Sequence, residues 1–162
     1  MMSSPFSHLL LAANMTLSIS VQQADFNLAD EYASLSTNAS CGAVVIFTGL
    51  VRELANSTLK AMTLEHYPGM TERALQDIAK QAQQRWQLGG VRIIHRVGTL
   101  LPNEQIVFVG VTSPHRVAAF EATQFIMDYL KNTAPFWKKE HTTEQEYWVA
   151  AKASDQAAIK RW

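Results

Sequence analysis

The chain has 162 residues, of which 48% are hydrophobic and 17% are charged, a composition typical of one globular domain with a core of its own. Its 14 basic residues balance its 14 acidic residues, and this balance argues against a general nucleic-acid binder, which carries a basic excess. The only cysteine, Cys41, leaves no internal disulfide, so an intracellular protein is predicted, and no apolar run approaches the roughly 20 residues of a membrane span.

The N-terminal segment is predicted to lie outside the domain. Residues 1–14 contain the short apolar run Leu9-Leu10-Leu11-Ala12-Ala13 but no positively charged region before it, which argues against a signal peptide. This segment is interpreted as a disordered leader or as a misassigned start, with Met15 as the alternative beginning. Residues 15–162 are then expected to form a single domain.

The first part of this domain is predicted to alternate strands with one short helix. Residues 16–21 alternate between apolar and polar side chains, as a half-buried strand does, whereas residues 28–35 have helical spacing. The continuous apolar run at residues 42–52 is typical of a strand that is covered on both faces. Strand character resumes over residues 59–67 after a polar loop.

A first long helix is predicted after the turn at Pro68-Gly69. Thr71 is a good N-cap, and Glu72 lies in the first turn, where the helix dipole favours a negative charge. Gly89-Gly90 is expected to end the helix. The buried stripe of this helix is predicted to consist of Leu75, Ile78, Ala79, Ala82 and Trp86.

The next segments are predicted to be two buried strands and a second long helix. The strands are expected at residues 91–97 and 106–111, with a turn region at residues 98–103 between them. Ser113 as N-cap and Pro114 as the first helical residue then open the helix. Its buried residues are predicted to be Ala118, Ala122, Phe125, Ile126 and Tyr129.

The segments after this helix complete the predicted fold. Apolar and aromatic residues at 136–140 and 147–149 flank a polar stretch and indicate a hairpin, and residues 154–162 are expected to form a short helix or tail. Because strands and helices alternate only partly, the fold class is predicted to be α+β, with a mixed or antiparallel sheet and two long helices on it.

Two lysines flank the end of the second long helix. Pro135 cannot continue a helix and pushes Ala134 towards extended geometry, so Lys131 lies on the last helical turn and Lys138 lies beyond a corner. Side chains on either side of a corner can enter one pocket, where two ammonium groups lower each other's pKa and make a neutral amine available. In the alternative interpretation, which this stretch alone favours, Lys131 caps the helix dipole and Lys138 and Lys139 are surface charges.

A second basic cluster, His115-Arg116, is predicted in the first turn of the same helix. Free N–H groups and the positive end of the helix dipole suit an anion at that place, and arginine can bind a phosphate through two hydrogen bonds. A solvated first turn is the alternative, and both interpretations stay open. Arg52, at the end of a strand, can join the same site or be a surface charge.

The remaining candidate residues are given structural interpretations. His95-Arg96 lies on a predicted strand with no partner evident in the sequence, and His66 is interpreted as a half-buried, hydrogen-bonded histidine. The sequence has no Cys/His metal spacing, phosphate-binding loop, dinucleotide fingerprint or nucleophile elbow. The residues alone predict an intracellular α+β domain with a basic pocket for a phosphorylated small molecule.

Several long motifs resemble those of the large, catalytic subunit of molybdopterin synthase, the MoaE family. The motifs are Val45-Ile46-Phe47-Thr48-Gly49, Leu64-Glu65-His66-Tyr67-Pro68-Gly69-Met70-Thr71, Ile94-His95-Arg96-Val97-Gly98, the segment at residues 106–116, Phe125-Ile126-Met127-Asp128-Tyr129-Leu130-Lys131 and Ala134-Pro135-Phe136-Trp137-Lys138-Lys139-Glu140. The resemblance covers about residues 15–162 in family order and spacing. Motifs of this length are far more specific than one short pattern.

The resemblance implies a fold, a reaction and partners. The fold is expected to be of the α/β-hammerhead type, with a smaller β sub-domain. The large subunit is expected to form a homodimer whose copies each bind a small ubiquitin-like sulfur-carrier subunit, giving a heterotetramer. The Gly-Gly tail of the carrier ends in a thiocarboxylate and enters a pocket, and two sulfur atoms pass to cyclic pyranopterin monophosphate to form the dithiolene of molybdopterin. No metal or resident cofactor is expected at this cytoplasmic step.

The resemblance also implies roles for individual residues. Lys131 and Lys138 match the catalytic lysines of the family, acting as base, as anion stabiliser or as covalent site for the carbonyl of the tail. The substrate-binding positions are Leu50, Val51, Arg52, His115, Arg116, Lys139 and Glu140. Some family members have a lysine where this chain has Leu50, so that side chain is interpreted as not essential.

Two other functions are compatible with these residues. One is a non-catalytic binder of a phosphorylated pterin, which rests on the basic cluster alone. The other is an interaction scaffold that docks a ubiquitin-like partner through Phe136 or Trp137. Formation of a sulfurated product that depends on Lys131 would separate the sulfurtransferase from both alternatives.

Overall fold

The computed structural model describes residues 15–55 and 58–162, and the leader predicted at residues 1–14 lies outside the described residues. The elements, in chain order, are β1 (Thr16–Gln22), α1 (Leu28–Leu35), β2 (Ala43–Leu50), β3 (Leu59–His66), α2 (Met70–Arg85), β4 (Gly90–Arg96), β5 (Gly98–Leu100), β6 (Gln105–Ser113), α3 (Arg116–Thr133), β7 (Phe136–Thr142), β8 (Glu146–Trp148), α4 (Ala153–Ala158) and a 3-10 turn, Ile159–Arg161. None of the described helices is long and apolar enough to cross a membrane.

The larger sheet has the strand order β1-β4-β6-β2, with β1 parallel to β4 and the other pairs antiparallel. Successive residues of a strand point to opposite faces, so Ile93 and Ile94 of β4 belong to two different cores. Ile93 shares a core with Phe125 and the other buried residues of α2 and α3, whereas Ile94 shares one with Phe108 on the side of Leu35 in α1. Fully burying each of these large side chains contributes about 1.5–3 kcal/mol to stability.

The smaller sheet has the order β5-β3-β7-β8 and is antiparallel throughout. It has a separate core, which consists of Val51, Leu59, Met62, Leu64 and Leu100. The predicted turn region at residues 98–103 contains β5, because Gly98–Leu100 pairs with β3. The two sheets with their long helices confirm the predicted α+β class, and the predicted hairpin corresponds to β7 and β8.

Strand β2 is not covered on both faces as predicted, since none of its residues is fully buried, and it lies at the edge of the larger sheet. It is hydrogen-bonded to β6 on one side only, and its residues Ile46, Phe47 and Leu50 are exposed. Helix α3, which packs against β2, adds the exposed residues Val117 and Phe120. These five residues, here called the β2 edge patch, expose apolar side chains around a strand edge that no other described strand pairs with, and Ile46 and Phe47 lie on opposite faces of the sheet.

Helix α2 does not have the predicted ends. Its N-cap is Gly69, at a positive φ of 85° that glycine adopts without steric cost, and Thr71 lies inside the first turn. The helix ends at Arg85. Gly89, predicted to end it, instead allows close packing, because a Cβ atom at this position would collide with Cys41 Sγ.

The start of α3 is later than predicted. Ser113 is the last residue of β6 and pairs with Ala43, and its hydroxyl donates to the Gln87 carbonyl at 2.8 Å. His115 is the N-cap and Arg116 the first helical residue. Pairing with β2 therefore overrides the capping preference of the serine.

Candidate functional site

The corner at Pro135 has the predicted geometry. Ala134, the C-cap of α3, has the extended dihedral angles φ −76° and ψ 128°, as the residue before a proline prefers. Strand β7 starts directly afterwards, at Phe136, so Lys131 lies on the last turn of α3 and Lys138 lies on β7. Besides burial, the positive charge of Lys131 acts on Lys138 across this corner and lowers its pKa.

Lys138 is the half-buried member of this pair, whereas Lys131 is exposed. Burial disfavours the ammonium form and the positive charge of Lys131 adds to this effect, so the pKa of Lys138 falls from 10.5 to about 8. A neutral amine is consequently available near physiological pH, which an ordinary surface lysine does not offer. The paired-amine interpretation therefore fits the geometry better than two independent surface charges do.

The C-terminal segment brings two further charges to this pair. The carboxylate of Asp155 opposes the lowering of the Lys138 pKa, and the ammonium group of Lys152 adds to it. Asn132 holds the segment against α3, since its Nδ2 donates to the Asp155 carbonyl at 2.6 Å. Lys152 and Asp155 could not be identified from the sequence, because no motif connects α4 with the corner.

His95, which was predicted to be structural, also lies at the corner. It is only 4% exposed, and its ring stacks on Phe136 with the centroids 3.7 Å apart. Burial is the main cause that lowers the pKa of His95 to about 4; a hydrogen bond to the Arg96 carbonyl opposes it, and the charges of Lys138 and Lys131 act with it. A neutral imidazole therefore lies beside the two amines.

Arg96 and His66 have the structural environments that were predicted. The Arg96 guanidinium donates to the Gln23 carbonyl at 3.1 and 3.0 Å and to the Gln105 carbonyl at 2.9 Å, so its donors serve the fold. His66 is half-buried, and its Nε2 lies 3.5 Å from a carboxylate oxygen of Glu72. Both side chains therefore have structural roles, and neither is assigned as a substrate-binding group.

Glu140 and Lys139, both predicted to bind substrate, lie on opposite faces of β7. Glu140 shares the face of Lys138, is buried, and accepts a hydrogen bond from the Tyr147 hydroxyl at 2.6 Å. This hydrogen bond raises the pKa of Tyr147, so the phenol remains a donor. Lys139 forms an ion pair with Glu146 at 3.1 Å. Of the two, Glu140 is the residue placed to act together with Lys138.

Three predicted substrate-binding residues follow one another at the end of β2. Leu50 and Arg52 are exposed, whereas the Val51 side chain is buried in the smaller core at 1% exposure. The Val51 N–H donates to the Glu104 carbonyl at 2.9 Å, and the Val51 carbonyl accepts from the Asn103 N–H at 2.8 Å. The side chain of Val51 and its backbone groups are therefore already in contact with the fold, and the two exposed side chains of this segment are those of Leu50 and Arg52.

His115 and Arg116 lie at the opposite end of α3 from the lysine pair. Both are exposed, at the N-cap and the first position of the helix. A helix rises 1.5 Å per residue, so about 22 Å of helix separates Arg116 from Lys131. One chain therefore does not bring the lysine pair and the His115-Arg116 cluster into one pocket.

The fold and the site together define an α+β protein that pairs a half-buried lysine of lowered pKa with a second amine at a helix-to-strand corner. Burial and a neighbouring cation are two ways in which enzymes lower the pKa of a lysine so that its amine can act as a base or nucleophile. In the part of the chain that the structure describes, no three His, Cys, Asp or Glu side chains are grouped to hold a metal ion. The family model described as MoaE protein matches residues 21–133, and the chain belongs to this family.

Relatives and solved structures agree with this membership. The chain is 57% identical over 145 residues to the molybdopterin synthase catalytic subunit of Salmonella typhimurium, with 89% of this chain and 97% of the relative covered. The protein of the same name from Escherichia coli is 57% identical over 138 residues, which cover 85% of this chain and 92% of the relative. The family resemblance found in the motifs is thereby confirmed.

The solved structures extend the agreement to the fold. The molybdopterin biosynthesis MoaE protein from Burkholderia ambifaria is 50% identical and superposes with a TM-score of 0.78, covering 91% of this chain and 98% of its own. The molybdopterin synthase structure from Staphylococcus aureus is 30% identical, with a TM-score of 0.76 and coverage of 80% and 95%. The fold predicted from the resemblance is therefore that of the solved family members.

Proposed function

We propose that this chain is the catalytic subunit of a molybdopterin synthase, a sulfurtransferase of molybdenum cofactor biosynthesis. The observation that carries this proposal is the Lys131 and Lys138 pair at the Pro135 corner, in a chain 57% identical to proteins of that name. Residues 15–162 are proposed to act as one unit. The cytoplasm is the proposed compartment, since one cysteine leaves no internal disulfide for an oxidising environment to form.

The proposed reaction transfers sulfur from the C-terminal thiocarboxylate of a small ubiquitin-like subunit to cyclic pyranopterin monophosphate. In each transfer a carbon–sulfur bond forms to the pterin side chain and the carbon–sulfur bond of the carrier tail breaks, and water supplies the oxygen with which the tail is released as a carboxylate. The neutral amine of Lys138 can accept a proton or attack the carbonyl carbon of the carrier tail. A positive charge on Lys131 can stabilise the anion that develops as the carbon–sulfur bond forms. Glu140, which the Tyr147 hydroxyl holds in place, lies on the face of β7 from which Lys138 projects and can orient the bound groups.

A scaffold that docks a partner without chemistry is the second candidate function, and one surface favours it. Trp137 and Trp148 are 48% and 54% exposed and line a groove together with Glu65, and exposed aromatic residues are typical of protein interfaces. Phe136 does not contribute to this groove, because it is partly buried against His95. The groove is equally suited to docking the small subunit of a synthase, so formation of product must decide between the two functions.

We further propose that two copies assemble through the β2 edge patch, giving a homodimer and, with two small subunits, a heterotetramer. An unpaired strand edge beside exposed apolar residues is a surface that a second chain can cover. About 22 Å of helix separates Arg116 from Lys131 within one chain, but Arg116 of a second copy can lie close to Lys131 of the first. In this arrangement the His115-Arg116 cluster of one protomer anchors the substrate phosphate beside the lysines of its partner.

Reconstitution tests the sulfurtransferase proposal. The purified chain is mixed with a thiocarboxylated small subunit and cyclic pyranopterin monophosphate, and the dithiolene product is measured by mass spectrometry. We expect product that contains two transferred sulfur atoms, and none when the small subunit ends in an ordinary carboxylate. Tight binding of the small subunit without any product would contradict the proposal and support the scaffold.

The rate of sulfur transfer is expected to rise with pH and to level off above about pH 8. Below its pKa of about 8, Lys138 is mostly an ammonium ion, and its neutral fraction grows about tenfold per pH unit as the pH rises towards that value. The rate at saturating substrate should follow this fraction if the neutral amine acts as base or nucleophile. A rate that stays flat between pH 6 and 9 would contradict that role.

A direct titration of Lys138 checks the same property without turnover. Trace acetylation with acetic anhydride at a series of pH values, read by peptide mass spectrometry, reports the pKa of each amine against a free N-acetyl-lysine standard. In Lys131→Met the Lys138 pKa should move up towards 10.5, because the charge of Lys131 is one cause of its lowering. An unchanged titration in this variant would show that the two amines do not interact.

A further inference from the structure

We propose that Thr71 and His95 are positioning residues, which hold the Pro135 corner so that the amines of Lys131 and Lys138 stay side by side. This inference rests on the proposed sulfurtransferase role of the two lysines, and it assigns part of that function to two buried residues on other elements. Both act through the backbone and the aromatic ring of the corner.

One backbone group of the corner, apart from the pairing of Phe136 with His66 of β3, is available to contact another element. Proline has no N–H, and the N–H of Phe136 donates within the corner to the Ala134 carbonyl at 2.9 Å. The Pro135 carbonyl is the remaining group. A partner of this carbonyl adds a direct contact at the point where α3 and β7, the elements that carry the two lysines, meet. This contact comes in addition to the pairing of β7 with β3 and the packing of α3 on β6, β2 and α2.

Thr71 binds that carbonyl. Its hydroxyl donates to Pro135 O at 3.1 Å and accepts from the Tyr67 N–H at 3.1 Å. Thr71 is fully buried, so water cannot replace a lost partner. The other side of the contact is itself well fixed, since the Thr71 N–H donates to Tyr67 O at 3.0 Å and the Glu72 carboxylate accepts from the Gly69 N–H at 2.6 Å. The first turn of α2 is thus a firm support for the corner.

His95 holds the corner from β4. Its ring lies nearly parallel to the ring of Phe136, with 18° between the planes and 3.7 Å between the centroids. His95 Nδ1 lies 2.9 Å from the Arg96 carbonyl, so Nδ1 carries the proton and donates it, which fixes the orientation of the ring. Because the buried ring is neutral, with its pKa lowered to about 4, it adds packing beside two amines without adding a third cation.

A shift of the corner would displace the amines of Lys131 and Lys138 relative to each other. Lys138 follows Phe136 by two residues on β7 and projects from the same face, while Lys131 lies on the last turn before the corner. The mutual influence of two charges falls with their separation, and a misplacement of about 1 Å in an active site can cost on the order of 10²-fold in rate. Loss of either contact should therefore be visible both in the titration of Lys138 and in turnover.

The decisive variant is Thr71→Val, which removes the hydroxyl and keeps the branched shape. We expect kcat for sulfur transfer to fall by about 10- to 100-fold with little change in KM, and the Lys138 acetylation midpoint to move up from about 8. Thr71→Ser restores the hydroxyl and should return kcat to within about threefold of wild type, since the two hydrogen bonds can form again.

Thr123→Val is the matched control for loss of a buried hydroxyl. Thr123 is 5% exposed, and its hydroxyl donates to the Ala119 carbonyl at 2.7 Å inside α3. This variant should keep the wild-type kcat and Lys138 midpoint. A wild-type kcat and midpoint in Thr71→Val, or an equal loss in Thr123→Val, would overturn the proposal for Thr71. If the wild-type protein shows no sulfur transfer, the proposed function is refuted. The acetylation midpoints of Lys138 still test whether Thr71 positions the corner.

A second pair of variants tests the stacking contact. His95→Leu removes the flat ring, and we expect kcat to fall by about tenfold or more together with an upward shift of the Lys138 midpoint. His95→Phe keeps an aromatic ring against Phe136 and should stay within about threefold of wild type, since stacking does not require the imidazole nitrogens. Equal losses in both variants would overturn the assignment of the ring as a positioning group.

Discussion

A Lys138→Ala variant is expected to lose sulfur transfer by about 10²- to 10⁴-fold, the range that one positioned acid, base or nucleophile contributes. The variant should still fold. Burial already disfavours the ammonium form of Lys138, so removal of this amine does not remove a favourable buried charge. The measurement is the initial rate of dithiolene formation at saturating small subunit, alongside thermal unfolding of the same preparation. Lys131→Ala is expected to lose activity as well, through loss of the charge beside Lys138.

Arginine substitutions separate the roles that the two lysines can have. Arginine keeps the positive charge but does not become neutral in proteins. If Lys138 acts as base or nucleophile, Lys138→Arg should be as inactive as Lys138→Ala, whereas partial activity would assign it to charge stabilisation. Lys80→Ala, which removes an exposed lysine of α2, is the control and should keep the wild-type rate. Full activity of both alanine variants at the corner would refute the assigned site.

Secondary-structure elements whose ends depend on nearby residues could be predicted from the sequence. Helix α1 spans residues 28–35 in prediction and structure alike, because the Asn27 side chain accepts from the Ala29 and Asp30 N–H groups and starts the helix locally. The corner was equally predictable, since Pro135 forces its own geometry on the chain. In both places the chemistry that sets the structure lies within a few residues.

Elements decided by distant residues were not predictable in the same way. A run of apolar residues predicts a strand, but it does not distinguish a central strand from an edge strand such as β2. Ser113 looks like a helix cap until β2 pairs with it. Thr71 reaches a carbonyl 64 residues away, and the ring of His95 packs against Phe136 of another element, so no local pattern marks either residue as part of the site.

The sequence predicted the positions of the two lysines around the corner, but it did not predict how far they lie from the other basic residues. Lys131 and Lys138 were placed correctly on either side of the corner, because local geometry suffices. The distance between the lysines and the His115-Arg116 cluster could not be predicted from local patterns, because it depends on the length of α3, an element of 18 residues that holds its two ends far apart. The two basic groups are separate surfaces of one chain, which is why the proposed function includes a second copy.

Mixing the two impaired variants Lys131→Ala and Arg116→Ala is therefore expected to restore activity. Lys131→Ala lacks the amine pair, and Arg116→Ala should lose about 10- to 100-fold in kcat/KM, since a charged hydrogen bond is worth about 1.5–3 kcal/mol. After subunit exchange about half of the dimers are mixed, and each mixed dimer contains one intact site out of two, so about a quarter of the wild-type activity should return. The assay is product formation at low pterin concentration, before and after mixing.

The matched control mixes Lys131→Ala with Lys138→Ala. Both lysines of a site come from one chain, because α3 and β7 meet at the same corner, so every site in every dimer remains defective and no activity should return. Restoration in the first mixture but not in the second requires that the lysines and Arg116 of one site belong to different protomers. If the first mixture stays inactive although mass spectrometry detects mixed dimers, Arg116 does not serve the partner's lysines, and the separation along α3 would then place the phosphate anchor on other residues.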